Sequence, residues 1–225
     1  MRKIRVGIEG NGTVRIKLKK TGKAERSGVT EIGKTLSTPQ TLSVPNVPTA
    51  GSGDFSLSHH LLSQMEIRVE SVFRPKEPDV EVVYALTGFG RSVDHLHKFS
   101  SNEVVAHATP EMISYVAEKM VEHIRAERAE MPNLIVHVHS HPSGAPVLSD
   151  VDKAAMPQVA ARIREVVPGA TVLFGVHAVG NEERRLRASP EQVSLNRLRW
   201  SSITRLHEVA FFDEDAEPVE VRIDG

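Results

Sequence analysis

The stretch that decides the reading is Asn133-Leu134-Ile135-Val136-His137-Val138-His139-Ser140-His141-Pro142, followed shortly by Ser149-Asp150-Val151-Asp152. The apolar run before the histidines predicts a buried strand. Side chains alternate along a strand, so His137, His139 and His141 share one face if the strand persists. Two imidazoles two residues apart, with a carboxylate arriving a short loop later, make three ligands of the kind zinc accepts. They leave a fourth position for water, as catalytic sites do. Ser149-Asp150-Val151-Asp152 is also an S-x-x-D capping box, with Ser149 as the N-cap of a helix. The two readings are compatible, because a helix start is a rigid place from which to present a ligand.

Downstream, the helix begun near Asp152 runs toward Val167-Pro168-Gly169, and Pro157 either starts its regular part or kinks it. Residues 170–177 read as a second buried strand, the charged residues 182–187 as an exposed hairpin strand, and a segment over 195–212 precedes a terminal strand at 219–223. Upstream, Thr109 as N-cap and Pro110 at the first helical position predict a helix with Ile113, Val116 or Ala117, Met120 and Ile124 as its buried stripe. Residues 55–58 predict a short strand and 59–72 an amphipathic helix. The strand bearing Glu81 then reaches the turn Gly88-Phe89-Gly90. Residues 93–99 follow as a strand in which His95 and His97 are plain sheet residues. The order β-α-β-β-α-β-α-β gives an α/β domain, a sheet flanked by helices.

The chain has 225 residues, 25% charged and 40% hydrophobic, with a formal net charge of −1. It reads as an ordinary soluble, cytoplasmic protein with no apolar run for a membrane span and no signal-peptide pattern. With no cysteine, disulfides and thiol chemistry are excluded, and any zinc is held by histidine and carboxylate. The first twenty residues read as a β-hairpin turning at Gly10-Asn11-Gly12, with Arg5, Arg15, Lys17 and Lys19 on its outer face. Residues 1–50 carry ten Lys/Arg against three Glu, either a solvated face or a surface for nucleic acid or another acidic partner. Pro, Gly, Ser and Thr interrupt residues 21–52. The division is therefore an N-terminal β-rich extension, 1–52, and a domain over 53–225 whose motif-bearing core is 53–190.

The residues His139, His141, Pro142, Ser149 and Asp152 resemble the H-x-H-P-x6-S-x-x-D signature of the JAMM (MPN+) metalloprotease family. That family's upstream Glu sits in a strand of the form E-x-x-G-x-L-x-G. Residues 81–88 match its Glu, Leu and Gly, with Tyr84 in place of the first Gly. The resemblance implies a cytidine-deaminase-like MPN fold and one zinc ion per chain with a bound water, held by His139, His141 and Asp152. Glu81 is then the general base, taking a proton from water and delivering it to the leaving amine, and the Ser149 hydroxyl donates to the developing oxyanion. His137 either orients a ligand from behind or is a packed strand residue.

The resemblance further implies an isopeptidase, deubiquitinase-like, cutting after the C-terminal tail of a ubiquitin-like or sulfur-carrier protein, alone or in conjugates. The tail is expected to pair with a strand edge, clamped by the loop around Gly90–His97. Two alternatives stand beside this. One is a non-catalytic MPN scaffold. The other is a RadC-like, DNA-repair-associated protein, whose motif carries H-x-H-P-S-G as His139–Gly144 does here; such proteins generally begin with a helix-hairpin-helix segment, not a β-hairpin.

Overall fold

The computed structural model describes residues 55–72, 81–99, 117–141, 144–180 and 188–224, with the backbone of strands at 3–8, 14–19, 105–109 and 112–115. In chain order the elements are β1 (Lys3–Ile8), β2 (Val14–Lys19), β3 (Phe55–Ser58), α1 (His59–Glu70), β4 (Val83–Phe89), β5 (Ser92–Lys98), β6 (Val105–Thr109) and β7 (Met112–Tyr115). They continue with α2 (Ala117–Glu127), β8 (Leu134–His141), α3 (Asp150–Val166), β9 (Thr171–Gly180), β10 (Ala188–Ser194), β11 (Arg197–Ser201), β12 (Leu206–Phe212) and β13 (Val221–Asp224). Nine strands form one sheet in the order β10-β11-β12-β9-β8-β4-β5-β3-β13. The fold is mixed α/β, as the pattern of apolar runs predicts.

Two cores lie on opposite faces of this sheet, and strand alternation decides which residue joins which. Leu134, Val136 and Val138 of β8 turn to the face where Tyr84 and Leu86 of β4 meet Leu61, Leu62, Met65 and Val69 of α1. Ile135 of β8 turns the other way, to Val83 and Ala85, and is covered by Met120, Val121 and Ile124 of α2 and by Met156, Val159 and Ile163 of α3. Because β8 continues to His141, the second face also receives His137, His139 and His141. Both faces are filled by aliphatic side chains, and β4 and β8 are buried almost throughout, which is why they read as continuous apolar runs and not as alternating ones.

β8 lies between an antiparallel neighbour, β4, and a parallel one, β9. The β8–β9 connection runs through α3, the crossover a parallel pair requires. The β4–β5 hairpin turns at Gly90, whose φ is +64°. Its register shifts between Thr87 and Gly88. A Cβ on Gly88 would lie 1.9 Å from the Ser92 carbonyl oxygen, so only glycine lets the two strands close there.

The structure changes or sharpens several expectations. The helix predicted from Thr109 starts at Ala117, and Met112–Tyr115 pairs with Val105–Thr109 as a two-stranded sheet. The β-branched and aromatic residues Ile113 and Tyr115 suit a strand, and this local preference with partners three to ten residues upstream outweighs the S/T-P helix-start signal. α3 runs through Pro157 without interruption. Residues 195–212 are two antiparallel strands, β11 and β12, joined to the sheet through β9. The exposed hairpin strand expected over 182–187 falls outside the described residues, after which β10 begins at Ala188. The N-terminal hairpin is present in the backbone, Lys3–Ile8 pairing antiparallel with Val14–Lys19. Its turn, the side chains of Arg5, Arg15, Lys17 and Lys19, and residues 20–54 lie outside the described residues. None of the described helices is long and apolar enough to cross a membrane.

Replacing Gly88 with Ala is expected to destabilise the fold by about 2–3 kcal/mol, the range for a side chain forced into a filled space. Chemical denaturation of both proteins, read as a lowered midpoint at unchanged slope, checks this.

Candidate metal centre

The site is assembled by three backbone devices. β8 brings His139 and His141 to the α3 face of the sheet, and α3 begins under them. Ser149 caps that helix in extended conformation: the Asp152 N–H donates to Ser149 Oγ, and the Ser149 N–H donates to Asp152 Oδ2 at 2.8 Å. Ser149 Oγ also donates to the same Oδ2 at 2.6 Å. One carboxylate oxygen of Asp152 is thus fixed by Ser149, and the other, Oδ1, faces His139 Nε2 at 3.4 Å. β4 supplies the third part. Val83 pairs with His139, and the Ser140 N–H donates to the Val82 carbonyl while Ser140 Oγ accepts from the Val82 N–H. Continuing that register by one pair sets Glu81 across from His141, on the histidine face.

The donor atoms converge. Nε2 of His139 and Nε2 of His141 are 3.2 Å apart, and His141 Nε2 comes within 4.0 Å of the Asp152 carboxylate. Donors about 2.0–2.1 Å from one tetrahedral ion stand roughly 3.3 Å from each other. Two of the three edges meet that value, and the third is longer. His, His and carboxylate are also the donor types zinc accepts, so the residues present fit a divalent ion of that class.

Electrostatics support the same assignment. Asp152 is held well below the ordinary carboxylate range: burial opposes ionisation, but hydrogen bonds and charge from His139, with the two hydrogen bonds from Ser149, outweigh it. His139 is buried, which lowers its proton affinity, yet Asp152 and Glu81 raise it above the usual value. Burial and the neighbouring His139 charge lower that of His141, whose ring also hydrogen-bonds the Ala145 backbone. The rings of His139 and His141 thus both face the ionised carboxylate of Asp152. His137 is wholly buried, its proton affinity pushed down to about 3 chiefly by desolvation, so it is neutral. Its ring stacks toward His139 at 6.3 Å and against Phe174 at 5.9 Å.

Glu81 is 8% exposed. Burial raises its carboxyl to about pH 7, with His139 lowering it and Asp152 raising it further. A cation at the donors would lower it again by favouring the charged form. The structure thus brings Glu81, His139, His141, Ser149 and Asp152 to one place, with His137 behind them. Pro142 lies outside the described residues. The turn at Gly90 does not approach this group: it is nine residues along the strand from Glu81, about 30 Å at ordinary strand rise. The clamp expected of that loop is therefore misplaced, since the β4–β5 hairpin closes at the far end of β4.

Two further clusters escaped the sequence reading. His95 and His97 meet Glu127 and His123 of α2. On the α1 face, Tyr84, His177, His207 and Glu70 form a buried hydrogen-bonded chain. Histidines at i and i+2 on a strand, and His123 and Glu127 at i and i+4 on a helix, are the only local signals either cluster offered.

No protein-family model and no curated protein matches the chain. Among solved structures it is similar to a JAB1/MPN domain protein from Archaeoglobus fulgidus, at 13% identity over 77% of this chain and 100% of that one, with a TM-score of 0.38.

Ser149→Ala removes the cap that Oγ accepts from the Asp152 N–H and the Oγ hydrogen bond to Asp152 Oδ2, while the residue-149 N–H contact to the carboxylate remains. The expected result is a loss of about 1 kcal/mol of stability and a fall of roughly 10- to 100-fold in zinc affinity. Thermal melts of the metal-free protein and zinc competition against a chromophoric chelator measure the two separately.

Proposed function

We propose that the chain is a zinc-dependent hydrolase, an isopeptidase-type metalloprotease that cleaves the bond after the C-terminal tail of a ubiquitin-like or sulfur-carrier protein. The observation that carries this reading is the convergence of His139, His141 and Asp152 on the same sheet face as a buried carboxyl, Glu81, that titrates near neutrality. The match of these residues to the JAMM signature supplies the substrate class.

A zinc ion held by His139, His141 and Asp152 would supply Lewis acidity and bring a water's pKa to about 7. Glu81 accepts a proton from the attacking water as the new carbon–oxygen bond forms. It returns that proton to the amine nitrogen as the carbon–nitrogen bond breaks, so one water is consumed and a carboxyl and an amine are released. A carboxyl poised near the working pH suits both halves of this exchange. Asp152 stays ionised throughout, because Ser149 satisfies one oxygen. Ser149 serves as oxyanion donor only by turning its proton away from Asp152, so positioning Asp152 and stabilising the oxyanion are competing uses of one hydroxyl. The substrate tail would pair with the Lys98 half of β5, beyond the described pairing of β5 with β3 at Ser92 and beside Tyr84 at the start of β4, at the candidate metal end of the strands.

In Glu81→Gln the metal should remain and turnover of ubiquitin-like conjugates should fall by about 10²- to 10⁴-fold, the usual contribution of a positioned base. Elemental analysis and a gel-based cleavage assay test both at once. Normal turnover with zinc in place would remove Glu81 from the mechanism, and a zinc-loaded wild type inert toward conjugates and linear fusions alike would remove the substrate class.

A further inference from the structure

On the same sheet face, two strands from β8, lies a second group of donors. Ala85 of β4 pairs with His137 on one side and with His97 on the other, so His97 stands about 10 Å across the sheet from His137. His95 and His97 alternate onto this face from β5, and His123 and Glu127 come down from α2, one turn apart. The ligand atoms of His95, His97 and Glu127 lie within 4.8 Å of one another. His123 Nε2 is 3.1 Å from Glu127 Oε1, and this solvent-excluded nitrogen makes no hydrogen bond.

We propose that His95, His97 and Glu127, joined by His123, form a second divalent transition-metal site of the zinc class, which ties the C-terminal end of α2 to β5.

The tautomer of His97 is central to the argument. Its ring is fully buried, with Nε2 2.8 Å from Thr87 Oγ1 and Nδ1 2.5 Å from Glu127 Oε2. The threonine hydroxyl both donates and accepts. When it accepts the Nε2 proton, Nδ1 turns a lone pair toward a carboxylate oxygen. In the other tautomer Nδ1–H donates to Glu127 and the threonine hydroxyl donates to Nε2; in either case one cation, a proton or a metal ion, sits between Nδ1 and the carboxylate. A hydrogen-bonded partner on the far nitrogen is also how metal-bound histidines are oriented. For an ion to replace the proton, the carboxylate must withdraw to roughly 3.3 Å from Nδ1. Glu127 is free to do so, its side chain being 40% exposed at the end of a helix. Arg128, a neighbouring cation, is paired with Asp94 through contacts of 2.7 and 3.1 Å. Burial also keeps His97 in the neutral form that ligation requires, holding its proton affinity down to about 4.

The experiment uses the full chain, stripped of metal, dialysed to equilibrium against micromolar Zn²⁺ and analysed for zinc. Wild type should hold two ions per chain, His95→Gln/Glu127→Gln one, His139→Gln/Asp152→Asn one, and the fourfold variant none. The His139→Gln/Asp152→Asn protein should still gain several degrees of Tm on adding zinc, and the fourfold variant should gain none. Metal-free circular dichroism confirms that each variant folds, and single Glu127→Gln, nearly isosteric, provides a gentler change with the same expected loss of one ion. If His95→Gln/Glu127→Gln binds as much zinc as wild type, the second site is overturned. If instead the His139→Gln/Asp152→Asn pair binds as much as wild type, it is the proposed catalytic centre that fails, so the two ideas are separable.

Discussion

Everything at the metal centre depends on β8 remaining a strand through His141. The period of two is what gives one eight-residue segment two unrelated duties: Leu134, Val136 and Val138 hold the α1 side of the molecule together, while His137, His139 and His141 face α3. A shift of one residue would drive the histidines into the aliphatic core and expose the aliphatic set to the site. The register is locked from both sides, by antiparallel pairing with β4 and parallel pairing with β9. Ser140 adds a side-chain bond to the Val82 N–H at the point where the ladder ends. That bond fixes the approach of Glu81, so its carboxyl is positioned by the same alternation as the histidines.

The Ser149–Asp152 box shows why the motif is compact. A helix N-terminus needs acceptors for its first N–H groups, and a metal ligand needs an ionised, oriented carboxylate. Asp152 meets both needs with different oxygens: Oδ2 is taken by Ser149, and Oδ1 is left facing His139. The positive end of the helix also favours the ionised form. The competition identified for the Ser149 proton follows directly from this economy.

The legible parts of the fold and site were those whose cause is local. The apolar run before His137 forced a buried strand, S-x-x-D forced a helix start, and the spacing between them fixed the ligand set. Helix α2 was found but its start was not: Thr109-Pro110 is a good local signal, yet Met112–Tyr115 answers to a strand partner upstream. His95 and His97 read as sheet residues because the residues that change their meaning, His123 and Glu127, arrive thirty residues later on another element. Gly88 announced a turn, but the close approach of Ser92 that makes it obligatory belongs to tertiary geometry. Glu81 came from resemblance, since one carboxylate ahead of an apolar strand carries no chemistry by itself.

What separates a ligand histidine from a packed one here is where the second nitrogen goes. On the α1 face, Tyr84 Oη lies 2.9 Å from His177 Nδ1, His177 Nε2 lies 3.1 Å from His207 Nδ1, and His207 Nε2 lies 3.0 Å from Glu70 Oε1. Every proton in that chain can run one way, from tyrosine to carboxylate, with both imidazoles neutral, and burial lowers the proton affinity of each. No lone pair is left over, so the chain is a finished structural network and offers a metal nothing. At β8 three donors converge instead of running in line: the Nε2 atoms of His139 and His141 meet at 3.2 Å, and the same His139 Nε2 lies 3.4 Å from Asp152 Oδ1. A single Nε2 proton serves one of these contacts at a time, whereas a cation placed among the three atoms meets them all. His95, His97 and Glu127 likewise bring their donor atoms within 4.8 Å of one another, which marks the second cluster as a candidate site and leaves the buried chain as scaffold.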